Sequence, residues 1–482
     1  MTDHPLTSPE LLAGWGRAPR SLNTTLTLGS AAPTTESLEA EFLEFLSHDG
    51  PTLTPRGLGR SYGDAALNAG GLVTDPSLWK STFELERERG LLTVSSGYSL
   101  DEIMRSIIPH GFFVPVTPGT RYVTTGGAFA ADIHGKNHHR SGSFGQHVTS
   151  ATVLTPTGRH VTTPGSQLFD ATLGGMGLTG LLSTLQLRLP RIETAYIKVV
   201  TQAPRNFAQT LEALETHDEH HEYSVAWIDC STQGSALGRS VITWGDHATT
   251  SDLHGAQSDN PLSYDPKIRL NAPKVAPSWL LNRLSVRAFN EAWYQKGKIS
   301  EGTSIQSIPS YFHPLDGVGS WNHLYGERGF LQYQVAIPFG TEEIMEQLLH
   351  RLAASGYPSF LAVLKRFGAA STGMLSFPFP GWTLALDLPS HRPDLGHLLD
   401  LCDELVLTAG GRTYLAKDAR TAPRHISVMY PRLQEWQEVA ASFDPQGRFT
   451  SDLARRLRLR PRRPQHRPLS ALAPQTKEGP NR

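Results

Sequence analysis

The stretch "PRGLGRSYGD", from Pro55 to Asp64, offers a ligand little except backbone. Gly57, Gly59 and Gly63 permit positive φ and leave neighbouring amides uncovered by side chains. Consecutive free amides form an anion nest suited to a pyrophosphate. In a nucleotide-binding βαβ unit a helix follows such a loop at once. Here "ALNAGGLVTD" breaks at Gly70 and Gly71. The loop therefore belongs to a strand-rich scaffold, where a tight glycine turn between strands is the simpler reading of the same residues.

Two further segments bear on that choice. "PVTPGTRYVTTGGAFAADIHGKN" repeats the pattern with Pro118-Gly119, Gly126-Gly127 and small residues up to Gly135. "GGMGLTG" sets Gly175, Gly177 and Gly180 at the spacing of a dinucleotide fingerprint. The sequel "LLSTLQLRLP" alternates like a strand, so the helix a Rossmann site needs is missing. Glycine-rich loops this far apart suggest one long flat ligand lying on backbone, and a dinucleotide fits.

At 482 residues the chain exceeds one simple core. From Pro51 to Arg191 the texture is strand and turn, with one helix at "SLDEIMRSIIPHG", capped by Ser99 and stopped at Gly111. A second region to Gly411 holds the strands "YSVAWIDC", "FLQYQVAIP" and "WTLALDLP". Its predicted helices lie near Phe207 to Thr216 and at "EEIMEQLLHRLAASG" and "LGHLLDLCDELVLTAGG". Asp246 to Lys298 is polar and Pro-punctuated, and reads as a long loop or lid.

No run approaches ~18 apolar residues, and the N-terminus lacks a basic start with an apolar core. The expected location is cytoplasmic or peripheral to a membrane. Cys230 and Cys402 are the only cysteines, both in apolar settings. That count excludes a disulfide framework or a Cys-ligated zinc. From Arg455 onward nine Lys/Arg face one Glu, a charge of +8, and the remaining 35 basic and 44 acidic residues give −9. An acidic body argues against nucleic acid as a partner. The Pro-broken tail, residues 460–482, is expected to be disordered, either solvated or in contact with an anionic membrane surface.

"DIHGKNHHRSGSFGQH" holds four histidines between Asp132 and His147. His134, His138 and His139 could be metal ligands, loop histidines with local partners, or part of a redox site. Metal ligands need a fixed face and supporting partners, and no matching Asp, Glu or Cys cluster is evident, so no metal is expected.

The motifs "RGLGRSYGD", "PVTPGTRYVTTGGAFAADIHGKNHH", "SGSFGQHV", "GGMGLTG", "FLQYQVAIP", "FPGWTLALDLP" and "YLAKDAR" occur in this order. Together they resemble the flavoprotein oxidase subunits of decaprenylphosphoryl-β-D-ribose 2'-epimerases. These are FAD proteins of the vanillyl-alcohol oxidase class with an aldonolactone-oxidase-like C-terminal part. The resemblance runs from Leu12 to Leu459. It implies an α+β, two-domain FAD-binding fold of the vanillyl-alcohol oxidase/p-cresol methylhydroxylase type. The FAD domain would comprise residues 8–195 and a returning segment, 413–459, with the substrate domain, 196–412, inserted between them.

By motif match, the resemblance puts FAD contacts on Pro55, Arg56, Gly57, Leu58, Gly59, Arg60, Ser61, Tyr62, Gly63, Asp64 and Ala65. It adds Gly119, then Thr124, Thr125, Gly126 and Gly127, then Ala131, Asp132, Ile133 and His134, and finally Leu182 and Tyr414. Tyr62, His134 and Lys136 would lie near the flavin ring or the substrate. Gln332, Gln334, Lys365, Lys417 and Ala385 would line the substrate side. Lys417, His134 and Tyr62 are the expected catalytic residues, with Lys417 positioning or deprotonating a hydroxyl. A cation or hydrogen-bond donor at His134 with Lys136 would steady negative charge on reduced flavin.

Two departures are visible. Many members of the class carry a flavin-bonding His where Arg60 stands, so FAD is expected to be non-covalent. Mycobacterial members carry a Cys where Ala385 stands, so a thiol-directed inhibitor would find no target there. The implied reaction is oxidation of the 2'-hydroxyl of a lipid-linked ribose, followed by an NADH-dependent short-chain reductase. Oxidation of free aldonolactones or alditols is the enzymatic alternative. A flavin-binding scaffold for a reductase, without turnover, is the alternative of another class.

Overall fold

The structure is a computed structural model and describes residues 7–29, 34–273, 282–357, 359–390 and 392–460. The expected disordered tail lies outside these residues from 461 onward. Arg460, placed at its start by the sequence, is instead part of the fold. Its guanidinium contacts the Asp444 carboxylate at 2.6 Å and the Leu178 carbonyl at 2.8 Å.

Strand and helix are both abundant, and the sheets are largely antiparallel, as an α+β fold requires. A four-stranded sheet runs in the order Glu10–Ala13, Arg20–Leu26, Leu72–Thr74 and Leu53–Thr54. A five-stranded antiparallel sheet follows, built from Phe83–Glu86, Leu91–Ser95, Leu181–Arg188, Val148–Thr155 and Gly158–Thr162. "GGMGLTG" leads straight into the strand Leu181–Arg188, so the Rossmann reading fails for the reason given above. The capped helix is Leu100–Ile107, with a reciprocal capping box between Ser99 and Glu102. Gly111 ends the turn after it in the left-handed region, at φ 76°.

The largest sheet has eight strands, from Gly302–Ser307 at one edge to Arg412–Thr413 at the other. Period-two alternation gives it two different faces. Tyr333, Val335 and Ile337 of the strand Phe330–Pro338 join Trp382, Leu384, Leu386 and Leu388 of Gly381–Pro389 in one core. The helices Phe207–His217, Glu342–Ser355 and Leu395–Thr408 cover that face. The intervening Gln332, Gln334, Ala385 and Asp387 point to the opposite face.

The region read as a loop, Asp246 to Lys298, ends in a 17-residue helix, Arg283–Ile299. Its buried stripe is Val286, Asn290, Tyr294 and Gly297. Only one of the four is a conventional core residue, so the helical period did not show as an apolar pattern. Among the described residues no helix is long and apolar enough to cross a membrane.

The chain's last described segment returns to its first sheet. Leu53 N donates to Arg448 O at 2.7 Å and Thr450 N donates to Leu53 O at 3.0 Å. Phe449 is fully buried among Leu26, Phe42 and Leu53. Farther on, Arg456 of the helix Asp452–Leu457 bridges two carboxylates, Asp64 at 2.8 Å and Asp418 at 2.9 Å. Three arginines counted with the basic tail, Arg455, Arg456 and Arg460, are thus spent inside the fold. Removing one partner of such a triad strands buried charge. Arg456→Met is expected to cost about 3 kcal/mol and to lower the urea midpoint of the FAD-loaded chain.

Candidate active site

The loop from Pro55 to Ala66 and the segment from Thr117 to Lys136 meet at close range. A Cβ on Gly57 would lie 2.5 Å from the Thr124 hydroxyl oxygen, so only glycine allows the approach. Among the described residues the backbone N–H groups from Gly57 through Ser61 have no hydrogen-bond acceptor. Five consecutive free donors are the nest that the sequence suggested. The second segment is not all loop: Thr125–Ala130 is one short helix, with Thr124 accepting from Gly127 N as its cap.

Both segments line a cavity of about 680 Å³ that extends across the polar face of the eight-stranded sheet. Pro55, Gly57, Leu58, Gly59, Arg60, Ser61, Tyr62 and Ala65 line it from the first loop. Gly119, Thr124, Gly127, Ala131, Ile133, His134 and Lys136 line it from the second. The sheet contributes Gln332, Gln334, Lys365 and Ala385, and the C-terminal segment contributes Tyr414 and Lys417.

Lys417 and Tyr414 share the cavity because the chain turns between them. Lys417 N and Asp418 N both donate to Tyr414 O, at 2.9 and 3.0 Å. In a strand, residues three apart would face opposite sides. The turn presses on the glycine loop, and a Cβ on Gly63 would lie within 1.9 Å of Asp418 O. Tyr62 N donates to Ala416 O at 3.0 Å, and the Lys417 ammonium nitrogen sits 3.7 Å over the Tyr62 ring.

The electrostatics here follow from burial. Burial pushes the Lys417 amine down to about 7, with Asp387 opposing and Lys365 reinforcing the shift. Burial also lifts the Asp387 carboxyl to about 7, against the Gln332 hydrogen bond and the Lys417 charge. Each charge thus favours the charged form of the other. Gln332 donates to Asp387 at 2.6 Å across the register that pairs them. Lys365 falls to about 8 and Lys136 to about 7, each chiefly by burial. Lys136 donates to Tyr311 O at 2.5 Å and lies 3.9 Å over the Tyr311 ring.

The histidine-rich stretch divides. Gly368 N donates to His138 Nδ1, His139 Nε2 contacts His221 O, and His147 Nε2 contacts Ser141 O. These are loop histidines with local partners. His134 faces the cavity and is held well below the usual imidazole range by burial, with Lys365, His138 and Lys417 adding to it. It therefore acts as a neutral donor or acceptor and not as a cation. The Gln334 amide donates to its Nε2 at 2.9 Å, which leaves the proton on Nδ1, a buried atom with no partner among the described residues. Among the described residues no group of three His, Cys, Asp or Glu could hold a metal.

Comparison with known proteins agrees with this layout. Residues 28–164 match the FAD binding domain family and residues 329–457 the D-arabinono-1,4-lactone oxidase family. The chain is 39% identical to decaprenylphosphoryl-beta-D-ribose oxidase of Mycolicibacterium smegmatis, over 95% of this chain and 99% of that protein. The chain belongs to the decaprenylphosphoryl-β-D-ribose oxidase family. A Streptomyces coelicolor protein from the mprA 5' region, itself uncharacterized, is 36% identical over 75% of this chain and all of its own length. A D-lactate dehydrogenase of Anaerostipes hadrus is 24% identical over 26% of this chain and 28% of its own.

The chain is thus an FAD-dependent oxidoreductase acting on CH–OH groups, with the two-domain fold of its class. The residues present fit the cofactor. Besides the five free amides, Arg60 Nε and Ser61 Oγ are buried without a partner among the described residues. Seven residues expected at the cofactor do not line the cavity. Arg56 holds the carbonyls of Ala13 and Ala66, and Asp64 is paired with Arg456. Gly63 is pressed on Asp418 and Gly126 on Ser96. Thr125 bonds to Ser95 O, and Leu182 lies in a central strand opposite Val153. Asp132 accepts from Ser143, Ser371 and Ser376. These residues shape the site from behind.

Sequence reasoning missed Asp387, Trp15 and Tyr311. Asp387 left a signal, a lone carboxylate inside the apolar strand "LALDLP". Trp15 stacks 4.0 Å under the Arg60 guanidinium and leaves no comparable trace in its own stretch. Because Arg60 holds no bondable imidazole, acid precipitation is expected to release all the flavin into the supernatant. Absorbance of the washed pellet checks this.

Proposed function

We propose that the chain oxidises the 2'-hydroxyl of a decaprenylphosphoryl-β-D-ribose to the 2'-ketone. The Mycolicibacterium smegmatis relative, which bears that substrate in its name and matches over nearly its whole length, supports the choice. The observation that carries the reading is the Lys417 amine, buried at the cavity wall over the Tyr62 ring and within the electrostatic reach of Asp387.

FAD, when bound, supplies the two-electron acceptor for the carbinol carbon. The chain's own residues handle the proton and the placement. Neutral Lys417 takes the hydroxyl proton at Nζ, and Asp387 with the Tyr62 ring steadies the resulting ammonium. His134, neutral and held by Gln334, presents its Nδ1 donor. Lys136 and Lys365, buried with no acidic partner among the described residues, suit the phosphodiester. Val225, Trp227, Val241 and Val363 form an apolar stretch of the cavity wall that suits the start of a prenyl chain. Residues 8–195 with 413–459 would serve the cofactor and 196–412 the sugar. The ketone would pass to an NADH-dependent short-chain reductase for reduction with inversion.

Oxidation of a free aldonolactone is the second reading, favoured by the family match over residues 329–457. Dye-linked turnover of lipid-linked against free sugars separates the two. Lys417→Met is expected to purify with FAD and to be reduced by dithionite. Its anaerobic reduction by substrate should be slower by roughly 10²-fold or more. In the parent a protonated Lys417 cannot accept the hydroxyl proton. The reduction rate should therefore rise with pH through about 7 and then level, and the variant should lose that rise.

A further inference from the structure

The helix Arg283–Ile299 spends little of its surface on the fold. Outside its buried stripe, Leu284 is 80%, Phe289 45%, Trp293 38% and Ile299 85% exposed. Phe289 and Trp293 stack on each other in the open, with centroids 6.0 Å apart. Scattered exposed hydrophobics need no explanation, but several in one short region mark a docking surface.

Charge says what docks there. Arg283, Arg287, Lys296 and Lys298 are exposed on the same helix. Its single acidic residue, Glu291, is paired to Arg239 at 2.7 Å. Exposed Leu, Phe, Trp and Ile beside an excess of Arg and Lys is the composition of a helix lying in a bilayer interface. A protein partner matched to this face would need acidic residues to meet those charges, whereas anionic phospholipid supplies them everywhere.

Position adds the second argument. Trp293 and Lys296 also line the large cavity. The exposed apolar face is therefore continuous with the wall that leads to Lys365 and Lys417. We propose that this face of the helix Arg283–Ile299 rests on an anionic phospholipid bilayer and opens the cavity toward it. A lipid-borne sugar would then enter without its prenyl chain crossing water. The docking stands on exposure and charge alone, and only the entry route rests on the function proposed above.

The FAD-loaded full chain is sedimented with vesicles of phosphatidylcholine containing phosphatidylglycerol, and with phosphatidylcholine alone. The parent should bind the anionic vesicles better, and high salt should weaken that binding. Leu284→Glu with Ile299→Glu should lower the partition coefficient roughly tenfold or more. Arg287→Glu with Lys298→Glu should lower it on anionic vesicles alone. Both double variants should keep FAD, the parental melting temperature and turnover of a short-prenyl, water-soluble substrate. A parent that does not sediment overturns the proposal, and so does a Leu284/Ile299 variant that binds like the parent. Binding lost only when the chain ends at Arg460 would assign the contact to the tail and also overturn it. Failure of every form to oxidise the short-prenyl substrate, with the vesicle differences intact, would sink the function and leave the surface standing.

Discussion

Arg456 holds the active site together from behind. One guanidinium spans Asp64, at the end of the glycine loop, and Asp418, next to Lys417. The two carboxylates would repel each other in a buried setting without it. Because Gly63 has no Cβ, the turn around Asp418 can sit against the loop backbone. The amide nest and the Lys417 amine thereby become parts of one rigid unit, although more than 350 residues of sequence separate them. Asp64, expected among the cofactor contacts, thus braces the loop with a side chain paired to Arg456.

The eight-stranded sheet sets the other half of the chemistry by alternation. Every second residue of its central strands is committed to the helix-covered core, and the residues between are free for the cavity. Gln332, Gln334, Lys365 and Asp387 are polar or charged side chains on the face away from the helix-covered core, and burial shifts the two that titrate. A lysine and a carboxyl that would be fully charged in water both titrate near 7 here. That puts a proton acceptor at working pH within the same wall that would hold an anion through Lys136 and Lys365.

Much of this was legible in sequence, for reasons that differ by element. The strands and the Ser99-capped helix followed from alternation and caps. The loop at Gly57–Gly63 followed from glycine spacing, whereas Gly126–Gly127, read the same way, stands inside the helix Thr125–Ala130. The helix Arg283–Ile299 escaped because Asn290, Tyr294 and Gly297 do not read as an apolar stripe. The internal partners of Arg56, Asp64 and Asp132 also escaped, because a charged residue beside a ligand motif reads the same whatever its side chain pairs with. Asp387 was visible as an oddity, but its partner across the register is a fact of pairing that one strand cannot disclose. The turn between Tyr414 and Lys417 was required by the chemistry before it was evident in the residues.

The closing of the first sheet by Leu53, Arg448 and Phe449 has a consequence for synthesis. A ribosome delivers the amide nest early and its Asp418 and Arg456 supports last. During translation the early strands have a ligand loop but no wall behind it. Cofactor capture must then wait for the late segment, and the nascent chain carries open strand edges until it arrives. Such a topology, rich in contacts between distant parts of the chain, folds slowly. The glycine loop and the turn that braces it therefore meet only when the chain closes on itself.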